Sequence, residues 1–360
     1  MTYSEIGSFL WDASYDLKSC REKLWWESDE FNKEYFKSGR NAIKALCEGI
    51  GINCKRVLLP IYTCSTVIQP FVDAGWEIKY YGILNDLSID VGSLEKVYYE
   101  FSPSIVFVQS YFGFNTTNKN INLFLKLKND GAIIVEDITQ SLFSLHYIEF
   151  ADYYVASLRK FLAIPDGGVL ISKNALSISG IQHCDKKLVD MAFEAFNHKA
   201  DYMKSDSATE KERFLKEYSQ YCERLALNSE LTEISDDSMS IFNFANTDNL
   251  AKIRIDNYNY LFENTLHMHT VAPVLTIADK GIVPLYYPIY AAGHRDELQS
   301  FLKEHRIYCP VIWPKPEYVD ATETEAEYIY NNIICIPIDQ RYNVEDMQRI
   351  IELLKEYDNE

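Results

Sequence analysis

The chain has 360 residues, about two domains' worth at roughly 100–200 residues each, and is 47% apolar and 24% charged. That balance excludes disordered, collagenous and low-complexity classes and supplies enough apolar side chains for a substantial core. With 53 acidic residues against 35 basic, the formal charge of −18 repels polyanions, and no basic patch offsets it, so nucleic acid is not an expected partner.

The opening residues MTYSEIGSFLWDAS lack a basic stretch followed by an apolar one and do not read as a secretion signal. No apolar run approaches the roughly 18 residues of a membrane span, so no membrane partner is expected. Eight cysteines, at 20, 47, 54, 64, 184, 222, 309 and 335, form no CxxC pair. In a chain this long they read as reduced thiols, which points to a cytoplasmic location. His267 and His269 are the only close histidine pair, with no cysteine or further histidine nearby, so no metal site is expected.

Through the first half, short β-branched runs at 56–59, 77–81, 105–108, 132–135 and 153–156 read as strands. Several are apolar on consecutive residues, as strands buried on both faces are. Helical patterns lie between them. Residues 41–50 place Ala42, Ile43, Leu46, Cys47 and Ile50 on one side and stop at Gly51; 65–74 and 120–128 are similar. This alternation predicts an α/β fold, a mainly parallel sheet flanked by helices. Residues 176–233 are polar, with an exposed helix expected within them, and 234–240 (ISDDSMS) reads as a hinge. Beyond it, helices near 250–266, 295–306 and 344–357 and strands near 283–289 and 307–312 predict a smaller α+β unit. The expected domains are therefore 1–235 and 236–360, without internal repeats.

Four short pieces of the first domain carry candidate chemistry. Ser38-Gly39-Arg40-Asn41 opens the first helix: serine caps, glycine permits close approach, and free amides at a helix start bind phosphate, although a simple capped helix has the same sequence. In Val135-Glu136-Asp137-Ile138-Thr139-Gln140-Ser141 the carboxylates follow four apolar residues and fall at the C-terminal end of a buried strand, where open α/β sheets place ligands. Taken alone, Asp137 is equally a turn residue. Ser157-Leu158-Arg159-Lys160 follows the next strand. A lysine in a cleft there is a Schiff-base candidate, its amine deprotonated by desolvation or a cationic neighbour; on a surface it is an ordinary lysine. Ile164-Pro165-Asp166-Gly167-Gly168 reads as a tight turn.

Together these pieces resemble fold type I pyridoxal-phosphate enzymes, and more narrowly the DegT/DnrJ/StrS family of sugar aminotransferases. The similarity spans about residues 35–357 and is carried by SGRNAI (38–43), LLPIYTCSTV (58–67), QSYFGFN (109–115), VEDITQS (135–141) and SLRKFLAIPDGG (157–168). The resemblance implies that the cofactor is pyridoxal 5'-phosphate. By the same match Lys160 is the lysine that attaches it and relays the proton. Asp137 is the acid at its pyridine nitrogen, Gln140 the residue near its ring oxygen, and Ser157 its phosphate-binding serine. Gly39, Arg40 and Asn41 match the loop whose amides hold that phosphate, and Tyr62 is the nearest aromatic for ring stacking. The Ser157–Lys160 spacing is shorter than in many sugar aminotransferases and marks a divergent branch. The implied function is amino transfer from glutamate or glutamine to a nucleotide-linked keto-sugar, in polysaccharide or related biosynthesis, by a homodimer. A lyase or dehydratase on the same fold and a non-catalytic ligand-binding homologue are the alternatives. For the substrate, Asp339-Gln340-Arg341-Tyr342, Arg254 and His294-Arg295 are candidates, each equally a surface group.

Overall fold

The computed structural model describes residues 4–12, 21–117, 120–175, 177–227 and 230–359. In chain order it begins with β1 (Ile6–Gly7) and β2 (Asn32–Phe36), then α1 (Gly39–Gly49), β3 (Arg56–Pro60), α2 (Ser65–Asp73), β4 (Glu77–Tyr81), α3 (Val91–Phe101), β5 (Ile105–Gln109), α4 (Ile121–Asn129), β6 (Ile133–Asp137), β7 (Tyr153–Ser157) and β8 (Gly168–Ser172). Strands β2 to β8 make one sheet in the order β2-β8-β7-β6-β5-β3-β4. The pairs from β4 through to β7 are parallel, while β8 runs antiparallel to both β7 and β2. The expected mainly parallel sheet is present. Its middle strands are apolar on consecutive residues because helices cover both faces; all five residues of β5 (IVFVQ) are buried. Between β3 and β5 the strand order reverses, which opens a crevice at the C-terminal strand ends.

The strand runs end one or two residues later than their apolar cores suggest. Strand β6 reaches Asp137 and β7 reaches Ser157, so both polar residues are held in sheet geometry and not in flexible turns. Strand β2 has no counterpart in the sequence reading. Its residues NKEYF are polar because it is an edge strand, with Asn32 and Glu34 on the exposed side.

The polar middle of the chain forms two antiparallel helices, α5 (Lys186–Ser205) and α6 (Ala208–Leu227), separated where Asp206 takes a left-handed conformation (φ 53°). They are not simply exposed. Leu188, Ala192, Phe196 and Tyr221 form a second small core, against which Phe9 of the N-terminal segment packs; Phe9 stacks on Tyr218 at 3.6 Å. The expected hinge at 234–240 is also overturned. Ser235 caps α7 (Asp236–Phe244), accepting from the amide of Ser238, and its own amide and hydroxyl donate to buried Asp166 at 3.0 and 2.6 Å. An acid and two serines are hydrogen-bonded together at this junction. The polar residues that suggested a hinge are a helix cap.

The remainder comprises α8 (Thr247–Thr265), β9 (Ala272–Pro273), β10 (Tyr287–Tyr290), α9 (Arg295–Glu304), β11 (Ile307–Tyr308), α10 (Glu325–Asn332), β12 (Ile333–Ile336) and α11 (Val344–Asn359). Strands β12, β10 and β9 form an antiparallel sheet, so this last part is α+β as expected. Strand β1 pairs in parallel with β11, tying the N-terminal segment to the C-terminal part. No helix among the described residues is long and apolar enough to cross a membrane.

The N-terminal segment is pinned electrostatically. Buried Glu5 accepts from Lys199 Nζ at 2.7 Å, from the Tyr202 hydroxyl at 2.6 Å and from Lys211. Burial alone would raise its pKa, but these donors outweigh it and pull Glu5 down to about 2 from an ordinary 4.5. Lys199 is itself lowered by burial despite the pairing, so the net gain is smaller than the Glu5 shift alone implies, on the order of 1–2 kcal/mol. Because the folded-state pKa is depressed, this stability is present above pH about 4.5 and drains away as pH falls towards 2. Glu5→Gln should therefore be less stable than wild type at neutral pH, with the gap closing over that acid window in denaturation curves. A constant gap down to pH 2 would contradict the pairing.

Candidate active site

A cavity of about 180 Å³ opens at the C-terminal ends of β5, β6 and β7 and at the start of α1. It gathers Gly39, Arg40, Asp137, Gln140, Ser157 and Lys160, which lie up to 121 positions apart in the sequence. The crevice at the strand-order reversal explains why: each strand delivers its C-terminal residue to the same rim.

At the helix start, Ser38 caps α1 by accepting from the amide of Asn41 at 3.2 Å. The amides of Gly39 and Arg40 have no intrahelical acceptor and, at the positive end of the helix, suit an anion. Asn41 does not join them. Its amide serves Ser38, its side-chain oxygen accepts from the amide of Thr232 at 3.1 Å, and the residue is buried outside the cavity lining. The Arg40 side chain reaches across to the carbonyl of Ala226 at 3.0 Å, so α6 forms part of the rim.

The Asp-Gly-Gly turn has a steric purpose. Gly167 adopts φ 145°, and its amide donates to the carbonyl of Lys37 at 2.7 Å. A Cβ on Gly168 would lie 2.1 Å from the carbonyl carbon of Ser38, so only glycine lets the turn press on the α1 entry loop. Gly39 is similarly close to the Ser157 Cβ, at 3.1 Å from where its own Cβ would be. The start of α1 and Ser157 thus meet as one cradle. Among the described residues the Ser157 hydroxyl makes no hydrogen bond, while its amide donates to Thr139 Oγ1 at 3.0 Å.

Strand alternation sends the adjacent carboxylates of β6 in opposite directions. Glu136 turns away from the cavity, accepting from Ser110 Oγ at 3.0 Å and the Ile148 amide at 2.7 Å; burial pushes it up to about 7. Asp137 lines the cavity. Its Oδ1 accepts from the Thr139 amide at 2.8 Å, and its Oδ2 faces Gln109 Nε2 at 3.4 Å. Burial raises the Asp137 pKa, with the Thr139 and Gln109 bonds and the charge of Lys160 opposing it. A cation brought to this carboxylate would relieve that penalty. Gln140 Oε1 accepts from the Phe112 amide at 2.6 Å, so this glutamine also fixes the aromatic-glycine turn at 112–113.

Lys160 ends a short 3-10 turn, Leu158–Lys160, and projects into the open cavity; among the described residues its ammonium makes no hydrogen bond or ion pair. The surrounding protein replaces water around the ammonium and lowers its pKa; Arg159 adds to this, while Cys64 and Asp137 oppose it. A lysine shifted towards its neutral form beside a buried acid is the arrangement required for attack on an aldehyde.

Tyr62 does not line this cavity. It is fully buried, donates to the carbonyl of Ile312, and packs among Tyr111, Trp313 and Tyr330 at ring distances of 5.0–5.5 Å. The aromatic in the wall is Trp313, 251 positions further on, with Cys64 in the wall directly after Thr63. Nothing local in the sequence marks Trp313. Cys64 carried a signal, since it follows the Pro60-x-x-Thr63 segment directly. Cys222 and Leu225 of α6 complete the side facing Lys160.

The residues fit a phosphorylated pyridine aldehyde: amides and a free hydroxyl for the phosphate, a buried carboxylate for a ring cation, and a depressed lysine for the aldehyde. The substrate candidates do not share this cavity. His294 and Arg295 lie apart from it. Arg254 and Arg341 line a second, polar cavity on the other side of Lys160, where Asp339 neutralises Arg341 at 2.6 Å.

The model of the DegT/DnrJ/EryC1/StrS aminotransferase family matches residues 35–355. No curated protein matches the sequence. Among solved structures, the chain is similar to Helicobacter pylori PseC, an aminotransferase involved in the biosynthesis of pseudoaminic acid (15% identity, TM-score 0.67, covering 98% of each chain). It is also similar to NtdA from Bacillus subtilis with bound cofactor PMP (12% identity, TM-score 0.68, covering 99% of this chain and 86% of that one). DesV from S. venezuelae, in complex with a ketimine intermediate, is a third (16% identity, TM-score 0.65, covering 97% and 87%). At these identities the structural likeness concerns the fold.

Proposed function

The chain belongs to the DegT/DnrJ/EryC1/StrS aminotransferase family, and from that premise we propose that this pyridoxal-phosphate-dependent aminotransferase moves an amino group from glutamate or glutamine to a nucleotide-linked keto-sugar. The product would serve polysaccharide or related biosynthesis, in the cytoplasm. The observation that supports the site is the convergence of Lys160 and Asp137, from the ends of neighbouring strands, on one cavity closed by the start of α1 and by Ser157.

In this reading the amides of Gly39 and Arg40 and the hydroxyl of Ser157 hold the phosphate without titrating. Asp137 supplies a fixed negative charge to the ring nitrogen, and Gln140 lies near the ring oxygen. When bound, the cofactor withdraws electrons from the substrate's amino carbon. Lys160 provides the covalent attachment; once substrate amine displaces it, its neutral amine takes a proton from that carbon and returns it to the cofactor side. We place the cofactor against the 1–235 unit and the outer parts of the substrates against the 236–360 unit, in a homodimer with the site at the subunit boundary.

A half-reaction tests this. Glutamate added to the cofactor-loaded protein should replace the absorbance of the lysine-linked cofactor with that of the aminated cofactor, and a keto-sugar nucleotide should reverse it. A protein that releases product from an amino substrate without accumulating aminated cofactor would be a lyase instead.

A further inference from the structure

The cavity at Asp137 and the polar cavity behind it have two lining residues in common, Lys160 and Arg159. The Arg159 side chain therefore stands where the two spaces meet. Its Nε is buried without a hydrogen-bond partner, and among the described residues no carboxylate forms an ion pair with it. Its guanidinium lies over the Tyr221 ring, 5.3 Å from the centroid, with the Tyr221 hydroxyl as its polar neighbour. Asp166, a buried acid, acts on it only at a distance and is engaged by Ser235 and Ser238. The other arginines of the second cavity are differently placed. Arg341 is paired with Asp339 and with the carbonyls of Ser8 and Phe9, and Arg254 is held by Gln340 and the carbonyls of Pro284 and Leu285.

Arg159 is partly exposed to the two cavities, and a cation so enclosed is best met by an anion. Among the described residues no carboxylate pairs with it, which leaves that place open to an anion carried by a ligand. A donor amino acid must bring its nitrogen to the place Lys160 occupies, and its α-carboxylate is only two bonds from that nitrogen. The cation that receives it must stand beside Lys160. A sugar nucleotide's diphosphate is separated from the reacting carbon by several more bonds. We infer that Arg159 is the contact for the α-carboxylate of the amino donor, a specificity-determining residue set in the Ser-x-x-Lys turn itself. The planar guanidinium offers that carboxylate two parallel donors. This rests on the proposal that the donor is an amino acid.

The test is calorimetric titration of glutarate, a dicarboxylate with no amine to react, into cofactor-loaded wild type, Arg159→Gln and Arg159→Lys. Arg159→Gln should weaken glutarate by at least about 30-fold. Arg159→Lys should fall between, since it keeps the charge and loses the fork. All three should retain the absorbance of lysine-linked cofactor. Unchanged glutarate affinity in both variants, or a wild type that binds no glutarate, overturns the inference. So does loss of cofactor in Arg159→Gln with glutarate binding retained, which would make the cofactor's phosphate the partner. A wild type that binds glutarate through Arg159 yet never shows lysine-linked absorbance would sink the function proposed above and leave the carboxylate contact standing. If Arg159→Gln does not fold, Arg159→Lys decides alone: a loss supports the contact and wild-type affinity removes it.

Discussion

Replacing Lys160 with alanine should abolish the lysine-linked absorbance of the cofactor and reduce turnover by at least about 10⁴-fold, because in the mechanism proposed above the same amine provides both the attachment and the proton relay. The structure makes this variant clean. Lys160 projects into open cavity, and its ammonium makes no hydrogen bond or ion pair with a described residue, so no core contact is lost with it. Desolvation depresses its pKa, so holding the ammonium there costs stability. Lys160→Ala should be at least as stable as wild type in thermal denaturation. Phosphate binding by Gly39, Arg40 and Ser157 should persist, leaving a variant that holds the cofactor non-covalently. An unchanged absorption spectrum in the variant would remove Lys160 from the role.

The sequence made some of this visible and concealed the rest for identifiable reasons. The cores of β3, β5, β6 and β7 are legible because strands covered on both faces leave consecutive apolar residues, whereas β4, at the sheet edge, shows itself by its Ile78, Tyr80 and Tyr81. That pattern also puts Asp137 and Ser157 at strand ends, which is the geometry that matters for the site. Strand β2 is hidden by its edge position, where Asn32 and Glu34 meet solvent. The segment 234–240 misled because a cap and a hinge draw on the same residues, serine and aspartate; only the acceptor, Asp166, tells them apart, and it lies about 70 positions away. The same non-locality defeats the ring-facing assignment. Tyr62 lies next to the right turn but is turned into the aromatic cluster, while Trp313 arrives from the other end of the chain. Asn41 fell to local chemistry, since a serine cap consumes one of the amides that a phosphate loop would offer. Arg254 looked available because its partner, the side chain of Gln340, is remote in sequence; for Arg341 the carbonyls of Ser8 and Phe9 are remote, and that the adjacent Asp339 folds back onto it is not marked by the sequence.

Asp137→Asn should retain the fold and the lysine-linked cofactor but lower turnover by about 10–10³-fold, the equivalent of the 1–3 pKa units that an adjacent carboxylate confers on a ring nitrogen. The local hydrogen bonds can adapt. Asparagine keeps an oxygen for the Thr139 amide, now bound at 2.8 Å. Its new NH₂ would meet the Gln109 NH₂, yet the Gln109 Oε1 is a buried acceptor without a partner, and rotating that amide by half a turn presents it to the new donor. Burial currently raises the Asp137 pKa, so removing the charge also removes a desolvation cost, and the cofactor-free variant should be at least as stable as wild type. The loss of rate must then come from charge and not from damage to the site. Absorbance of the loaded variant reports attachment through Lys160, and single-turnover kinetics with glutamate reports the proton step. Intact absorbance with slow turnover assigns Asp137 to the ring nitrogen, whereas wild-type rates in a folded Asp137→Asn protein would leave the carboxylate with no part in the chemistry.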